Sequence, residues 1–179
     1  MRSPDISDYY PHLHETDFTA AYMVRKQQKN EFKIDNEEDT FYYLILGTSD
    51  GAILCFDQEK YEFLNEGRLT YIDAGSQISH IVYSKDHLVI ATSKGLLVRY
   101  PVKDLNKFEP PENQELIQRM TAESSISSLK MDEQNIEGIF GTSMGNIYYF
   151  NFAESQMVRI VTRATAGIDD ISTVKFDFN

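Results

Sequence analysis

One short pattern occurs three times in this chain, and the recurrence constrains the fold more than any single motif does. Tyr43 to Asp57 reads Y-L-I-L-G-T-S-D-G-A-I-L-C-F-D, Leu88 to Tyr100 reads L-V-I-A-T-S-K-G-L-L-V-R-Y, and Gly138 to Asn151 reads G-I-F-G-T-S-M-G-N-I-Y-Y-F-N. Each copy is an apolar run, a polar turn closing on Gly (Gly51, Gly95, Gly145), and a second apolar run. That is the signature of a β-hairpin, with glycine where the backbone needs positive φ. Three hairpins of one design in 179 residues predict a repeat architecture.

Other segments recur in step with the hairpin. An I-S-x-[LIV]-x-[YMF] strand is expected before it, at Ile78–Tyr83, Ile126–Met131 and Ile171–Phe176. A more mixed fourth strand is expected after it, at Arg68–Asp73, Glu115–Thr121 and Met157–Arg163. The leading Ile residues lie 48 and 45 positions apart, and the turn glycines 44 and 50 apart. A period in the forties with four strands per unit belongs to propeller blades. Middle strands covered on both faces should be almost continuously apolar, as Tyr43-Leu44-Ile45-Leu46 and Ile53-Leu54-Cys55-Phe56 are. An outer strand should alternate or carry charge, as Glu115 to Met120 does.

The flanks are less regular. Residues 1–17 carry two Pro, several acids and a few aromatics without rhythm, and read as an extended arm on which Tyr9, Tyr10 and Leu13 can pack. Phe18–Val24 fits a strand or the start of a short helix. Residues 25–40 are charged and read as a loop excursion. The expected units are then 41–77, 78–125 and 126–170, with a further unit starting at 171–179.

The hairpin at Leu44–Asp57 resembles that of the WD40-repeat β-propeller family. Ser49-Asp50-Gly51 stands at the turn, and Phe56-Asp57 stands where the Trp-Asp pair of that family sits. Arg99-Tyr100-Pro101 and Tyr149-Phe150-Asn151 replace the pair in the other copies, and no Gly-His dipeptide precedes the hairpins. The blades are therefore divergent, and the buried His–Asp network of standard blades is not expected. The resemblance implies an all-β, WD40-like propeller, partial in extent: three full four-stranded blades plus fragments of a fourth. At about 45 residues per blade this is short of the roughly seven blades of closed WD40 rings. The expectation is a piece of a larger ring, or a half-ring completed by another chain, with closure by two copies of this chain ranking after these. The last unit, G-T-S-M-G-N-I-Y-Y-F-N-F followed by Met157–Val161, is similar to blades of cilium- and centriole-associated WD-repeat proteins.

Composition narrows the functions. The formal charge is −11, from 28 acidic against 17 basic residues. That argues against nucleic acid as partner, because phosphate contacts need a basic patch. Arg25-Lys26-Gln27-Gln28-Lys29 holds the densest positive charge and reads as solvated. The single Cys55 rules out an internal disulfide, and as a mid-strand residue it reads as a small hydrophobe. No signal-peptide core or membrane-spanning run is present, so an intracellular, cytoplasmic chain without membrane insertion is expected.

The repeat accounts for the segments that resemble catalytic motifs. Gly47-Thr48-Ser49-Asp50-Gly51 and Gly141-Thr142-Ser143-Met144-Gly145 match G-x-S-x-G, a nucleophile elbow only on a strand–turn–helix. Here a second strand follows each copy, and the third copy, Ala91–Gly95, lacks the first Gly. An enzyme needs one nucleophile, whereas a repeat needs one turn per unit. His12 and His14 near Asp8 and Asp17 lack further ligands, because His80 and His87 lie in another unit. Asp169-Asp170 and Glu37-Glu38-Asp39 read as solvated charges. No catalytic, cofactor-binding or metal-ligating residue is expected, and no cofactor. Pro101–Asn113, stiffened by Pro110-Pro111, reads as an insertion that can project Leu105 and Phe108 as contact residues.

These readings point to a non-catalytic scaffold that binds other proteins. The second resemblance implies a ciliary or axonemal microtubule-associated setting. A subunit of a vesicle coat or transport complex is the alternative. A propeller enzyme ranks below both, since the inner-strand positions Ser79, Ser127 and Ser172 offer mostly hydroxyls.

Overall fold

The computed structural model describes residues 16–29, 38–64, 70–105 and 111–162. These residues form thirteen strands: β1 (Phe18–Lys29), β2 (Glu38–Thr48), β3 (Ala52–Asp57), β4 (Glu62–Phe63), β5 (Thr70–Tyr71), β6 (Ile78–Ser84), β7 (His87–Thr92), β8 (Leu96–Pro101), β9 (Gln118–Thr121), β10 (Ile126–Met131), β11 (Glu137–Thr142), β12 (Ile147–Asn151) and β13 (Gln156–Val161). They assort into three antiparallel sheets in sequence order: β1-β2-β3-β4, with β5 also on β3, then β6-β7-β8-β9, then β10-β11-β12-β13. Each sheet is a meander whose two middle strands are joined by a turn of three or four residues, 49–51, 93–95 and 143–146.

The register repeats from sheet to sheet. Ile81 opposes Ile90, which opposes Val98; Leu129, Phe140 and Tyr148 take the same places in the third sheet, and Ala21, Leu46 and Leu54 in the first. The first strand of every sheet carries a bulge near its start, at Phe18/Ala20, Ile78/His80 and Ile126/Ser128. That bulge residue is Thr19, Ser79 or Ser127.

Two apolar cores lie between the sheets. Ile45, Ile53 and Cys55 of the first sheet meet Ile81, Ile90 and Tyr100 of the second. Val89, Ala91 and Leu97 on the other face of the second sheet meet Phe140, Tyr148 and Phe150 of the third. The middle sheet is thus covered on both sides, which explains why β7 and β8 are so nearly apolar throughout. The second core is aromatic: Phe140 stacks on Tyr148 at 5.0 Å between centroids, and Phe150 meets Phe152 edge-on at 5.4 Å. Burying each such ring stabilises the fold by about 1.5–3 kcal/mol.

Several expectations need correction. The described parts of the loop read over 25–40 are strand, since β1 runs on to Lys29 and β2 already begins at Glu38, with Arg25 opposite Tyr42 and Lys29 opposite Glu38. Ladder pairing needs no apolar rhythm, and the Lys26 ammonium lies over the Tyr83 ring, with Nζ 5.6 Å from its centroid, so a charged segment here is still well placed. The first unit accordingly starts at Phe18, not at residue 41. Phe18–Val24 is strand, and Thr19, Ala21 and Met23 occupy the places of Ser79, Ile81 and Tyr83.

The fourth strands are shorter than expected. Within the described residues 70–73 the strand is Thr70–Tyr71, sharing the outer position with Glu62–Phe63, and Gln114–Leu116 is a 3-10 turn ahead of β9. Asn113 caps that turn by accepting from the Glu115 N–H at 2.9 Å. The strand expected at Ile171–Phe176, His12 and His14, Asp169-Asp170, Phe108 and residues 1–15 of the arm lie outside the described residues.

Candidate functional site

The repeated turn is where a catalytic serine would have to stand, and its geometry is the same in all three sheets. The Gly51, Gly95 and Gly145 N–H groups donate to the carbonyls of Thr48, Thr92 and Thr142, and each Gly has positive φ, at 93°, 82° and 78°. Each Thr hydroxyl, fully buried, accepts the N–H of the residue after the Gly: Ala52 at 2.8 Å, Leu96 at 3.2 Å and Asn146 at 3.2 Å. The Ser N–H ties the turn to the residue before the first strand or its lead-in: Ser49 to the Asp17 carbonyl, Ser93 to that of Gln77, and Ser143 to that of Ser125. T-S-x-G is therefore a turn frame whose Thr, Ser and Gly each have a backbone task.

None of these serines meets a base among the described residues. Ser49 Oγ accepts from the Asp17 N–H at 3.2 Å, and a strand follows each turn. His80 Nδ1 lies 3.1 Å from Ser79 Oγ, and burial lowers its pKa. His87 Nδ1 lies 2.8 Å from the Lys85 carbonyl. The two histidines thus engage neither Ser49 nor Ser143. Among the described residues, no three or more His, Cys, Asp or Glu side chains gather as a metal site would require.

Polar side chains instead bridge the sheets. Between the first and second, Thr19 donates to the Ile78 carbonyl at 2.7 Å, and Lys26 reaches Asp86 and the Lys103 carbonyl, each at 3.4 Å. Tyr83 donates to Asp86 and to the Val102 carbonyl, and burial, followed by the Asp86 contact, pushes its pKa up. Between the second and third, Arg99 Nε donates to the Asn135 carbonyl at 2.5 Å, and Gln118 donates to the Phe152 carbonyl at 2.9 Å. Arg99 also holds Gln118 through Nη1 at 2.7 Å, and Asn135 donates back to the His87 carbonyl at 3.0 Å. Burial lowers the Arg99 pKa, as for any guanidinium withdrawn from water.

A carboxylate cluster stands near the last turn. Glu123 accepts from Asn146 Nδ2 at 2.5 Å and from the Tyr148 hydroxyl. Burial works against the Glu123 charge, but the Tyr148 and Asn146 bonds outweigh it and hold the pKa below its ordinary value. Burial, then the Glu123 bond, pushes Tyr148 up to about 12. Each Glu123 oxygen thus accepts one bond from the β12 end of the hairpin, which braces the last turn against the segment before β10.

The remaining candidates resolve individually. Cys55 is fully buried in the first core, and burial pushes its thiol up to about 12, so it packs as a hydrophobe and does not act as a nucleophile. Leu105, expected as a projecting contact residue, is 1% exposed and packs in the first core. Asp57 accepts from the Glu59 and Lys60 N–H groups, and Asn151 accepts from that of Glu154, so the polar residue at the end of β3 and of β12 caps the turn that follows. Sequence reading missed Arg99, Gln118 and Asn135, whose link spans 36 residues and leaves no local pattern.

What does vary on the turn frame is its tip. The residue before Gly is Asp50, Lys94 or Met144, and Met144 is 49% exposed. Phe18 is also exposed, at the same end of β1 as the first turn.

Three consecutive four-position meanders, packed face to face with one register, decide the fold. It is a partial WD40-like β-propeller. Solved propellers agree with it. The β-propeller domain of Cps50 (Swd1) from Myceliophteria thermophila matches with a TM-score of 0.56 and 13% identity, over 81% of this chain and 43% of that one. BBS1N, in a complex with ARL6DN, matches with a TM-score of 0.52 and 13% identity, over 80% of this chain and 38% of that one. The computationally designed Ika4 protein matches with a TM-score of 0.53 and 15% identity, over 82% and 72%. This propeller chain thus spans less than half the length of the two natural proteins. No protein-family model matches the sequence, and no curated protein does.

Proposed function

We propose that this propeller is a non-catalytic scaffold that binds other proteins. The observation that carries the reading is the turn frame: Thr, Ser and Gly are spent on backbone bonds, while the tips Asp50, Lys94 and Met144 differ in charge and polarity. A rigid frame with variable tips favours surface recognition over chemistry. BBS1N, a propeller neighbour described in complex with another protein, is in keeping with a protein partner. The resemblance of Gly141–Phe152 and Met157–Val161 to cilium- and centriole-associated WD-repeat blades is what favours an axonemal, microtubule-associated setting for the proposed assembly. Affinity purification from the native source tests this. Tubulin and axonemal proteins support it, vesicle-coat or transport proteins move the scaffold to that alternative, and hydrolytic turnover lost on Ser49→Ala would overturn the non-catalytic reading.

A further inference from the structure

Two hairpins of this fold close through the same turn. Residues 58–61 link the paired Asp57 and Glu62 of β3 and β4, and residues 152–155 link the paired Asn151 and Gln156 of β12 and β13. In each, the polar residue ending the first strand caps N–H groups of the turn. The fourth turn residue has left-handed φ in both, Tyr61 at 57° and Ser155 at 51°. A side chain there crowds its own backbone, and a bulky aromatic is the rarer occupant. The turn itself does not call for a ring, since its twin closes with serine. Strain of this kind, kept without a local need, marks a candidate for function.

The ring does not serve as core either. Tyr61 is 57% exposed, the most open of the described tyrosine side chains, and it touches the Phe56 ring edge-on at 6.2 Å. Its surroundings are acidic: Glu59 and Glu62 flank it, and Lys60 pairs with Asp57 at 3.5 Å and with Glu62 at 3.9 Å. The segment is also weakly held. β4 is two residues long and meets β3 at two positions, whereas β13 meets β12 at five. A short outer strand of this kind lies at the low end of local stability. Tyr61 can thus leave the turn and extend, as a residue must to enter a kinase cleft, while the inner strands stay paired.

We propose that Tyr61 is a phosphorylation site, the acceptor for a tyrosine kinase that favours acidic flanks. Its Oη attacks the γ-phosphorus of ATP and forms the new P–O bond. The bond from that phosphorus to the bridging oxygen breaks, ADP leaves, and the phenolic proton passes to the kinase's catalytic base. The product adds a charge of about −1.5 to −2 at pH 7. That charge stands beside Glu59 and Glu62, with Lys60 as the neighbouring cation. Repulsion then favours the open segment over the strained turn, so phosphorylation releases β4 from β3. The proposal does not depend on the scaffold reading.

The purified full chain, incubated with magnesium ATP and a panel of tyrosine kinase domains, should gain a single phosphoryl group that peptide mapping places on Tyr61. Tyr61→Phe should abolish incorporation. Tyr61→Ser, which borrows the residue of the twin turn, should do the same while leaving the urea midpoint at or above that of wild type. Hydrogen exchange of the phosphorylated chain should be faster at Leu64, whose N–H donates to the Cys55 carbonyl at 2.8 Å, and unchanged from β6 to β13. Incorporation at Tyr42 in place of Tyr61, undiminished incorporation in Tyr61→Phe, or none with any kinase of the panel would each overturn the site. Unchanged exchange at Leu64 would overturn the release of β4.

Discussion

Gly95 lies against the main chain of Ser124, so closely that a Cβ on Gly95 would stand 2.5 Å from the Ser124 carbonyl oxygen and 2.8 Å from that of Ala122. With φ at +82°, the turn between β7 and β8 is thus locked both by its own backbone and by the link to the next sheet. Gly95→Ala should cost more than about 2 kcal/mol, combining left-handed strain with a backbone clash. Gly75 also has positive φ, +75°, but open space around its Cβ position. Gly75→Ala should cost only about 1 kcal/mol. Urea unfolding of the two variants gives the comparison, and equal costs would mean that the contact with Ser124 does not matter.

The same frame separates Thr from Ser. Thr92 is fully buried and accepts the Leu96 N–H, so Thr92→Val should cost about 1–2 kcal/mol. Ser143 is exposed and uses its N–H in place of its hydroxyl, so Ser143→Ala should stay within about 0.5 kcal/mol of wild type. A shift in urea midpoint at unchanged slope is the measurement.

Arg99 and Lys26 bridge neighbouring sheets with unequal consequence. Arg99→Met strips the Asn135 carbonyl and the Gln118 side chain of their donor in a half-buried setting, at a cost of about 1.5–3 kcal/mol. Lys26–Asp86 is a partly exposed pair at 3.4 Å, and solvent screening holds Lys26→Met below about 1 kcal/mol. Hydrogen exchange should show the Arg99→Met loss concentrated in β8 and the Asp132–Ile136 turn.

Cys55 sets the alkaline limit. Its thiol is pushed up to about 12 by burial and then by Asp57, so above the ordinary thiol pKa the unfolded chain releases a proton that the folded chain keeps. Stability should therefore be unaffected below about pH 8 and fall above about pH 9, by up to about 1.4 kcal/mol per pH unit. Cys55→Ala should move the onset to about pH 10, where Tyr83 and Tyr100, both held protonated by burial, begin to act. Thermal melts across this range, with iodoacetamide labelling of Cys55 seen only on unfolding, test the assignment.

The sequence alone determined the hairpins and their number, because turn chemistry and strand alternation are written in neighbouring residues. Thr-Ser-x-Gly needs only four positions to specify its turn, and the apolar runs on either side set which strands are covered twice. Only the tertiary structure decided the rest. β1 went unrecognised as the first strand of a unit because Ala21 and Met23 face away from the second sheet, where the demand for a branched or aromatic side chain is relaxed. Leu105 sits in a stretch that reads as a projecting insertion, yet its side chain is buried in the first core. The Arg99–Asn135 link joins residues 36 apart through a side chain and a carbonyl, and any residue offers a carbonyl. Contacts of that kind depend on how two sheets sit against each other, which no local pattern encodes.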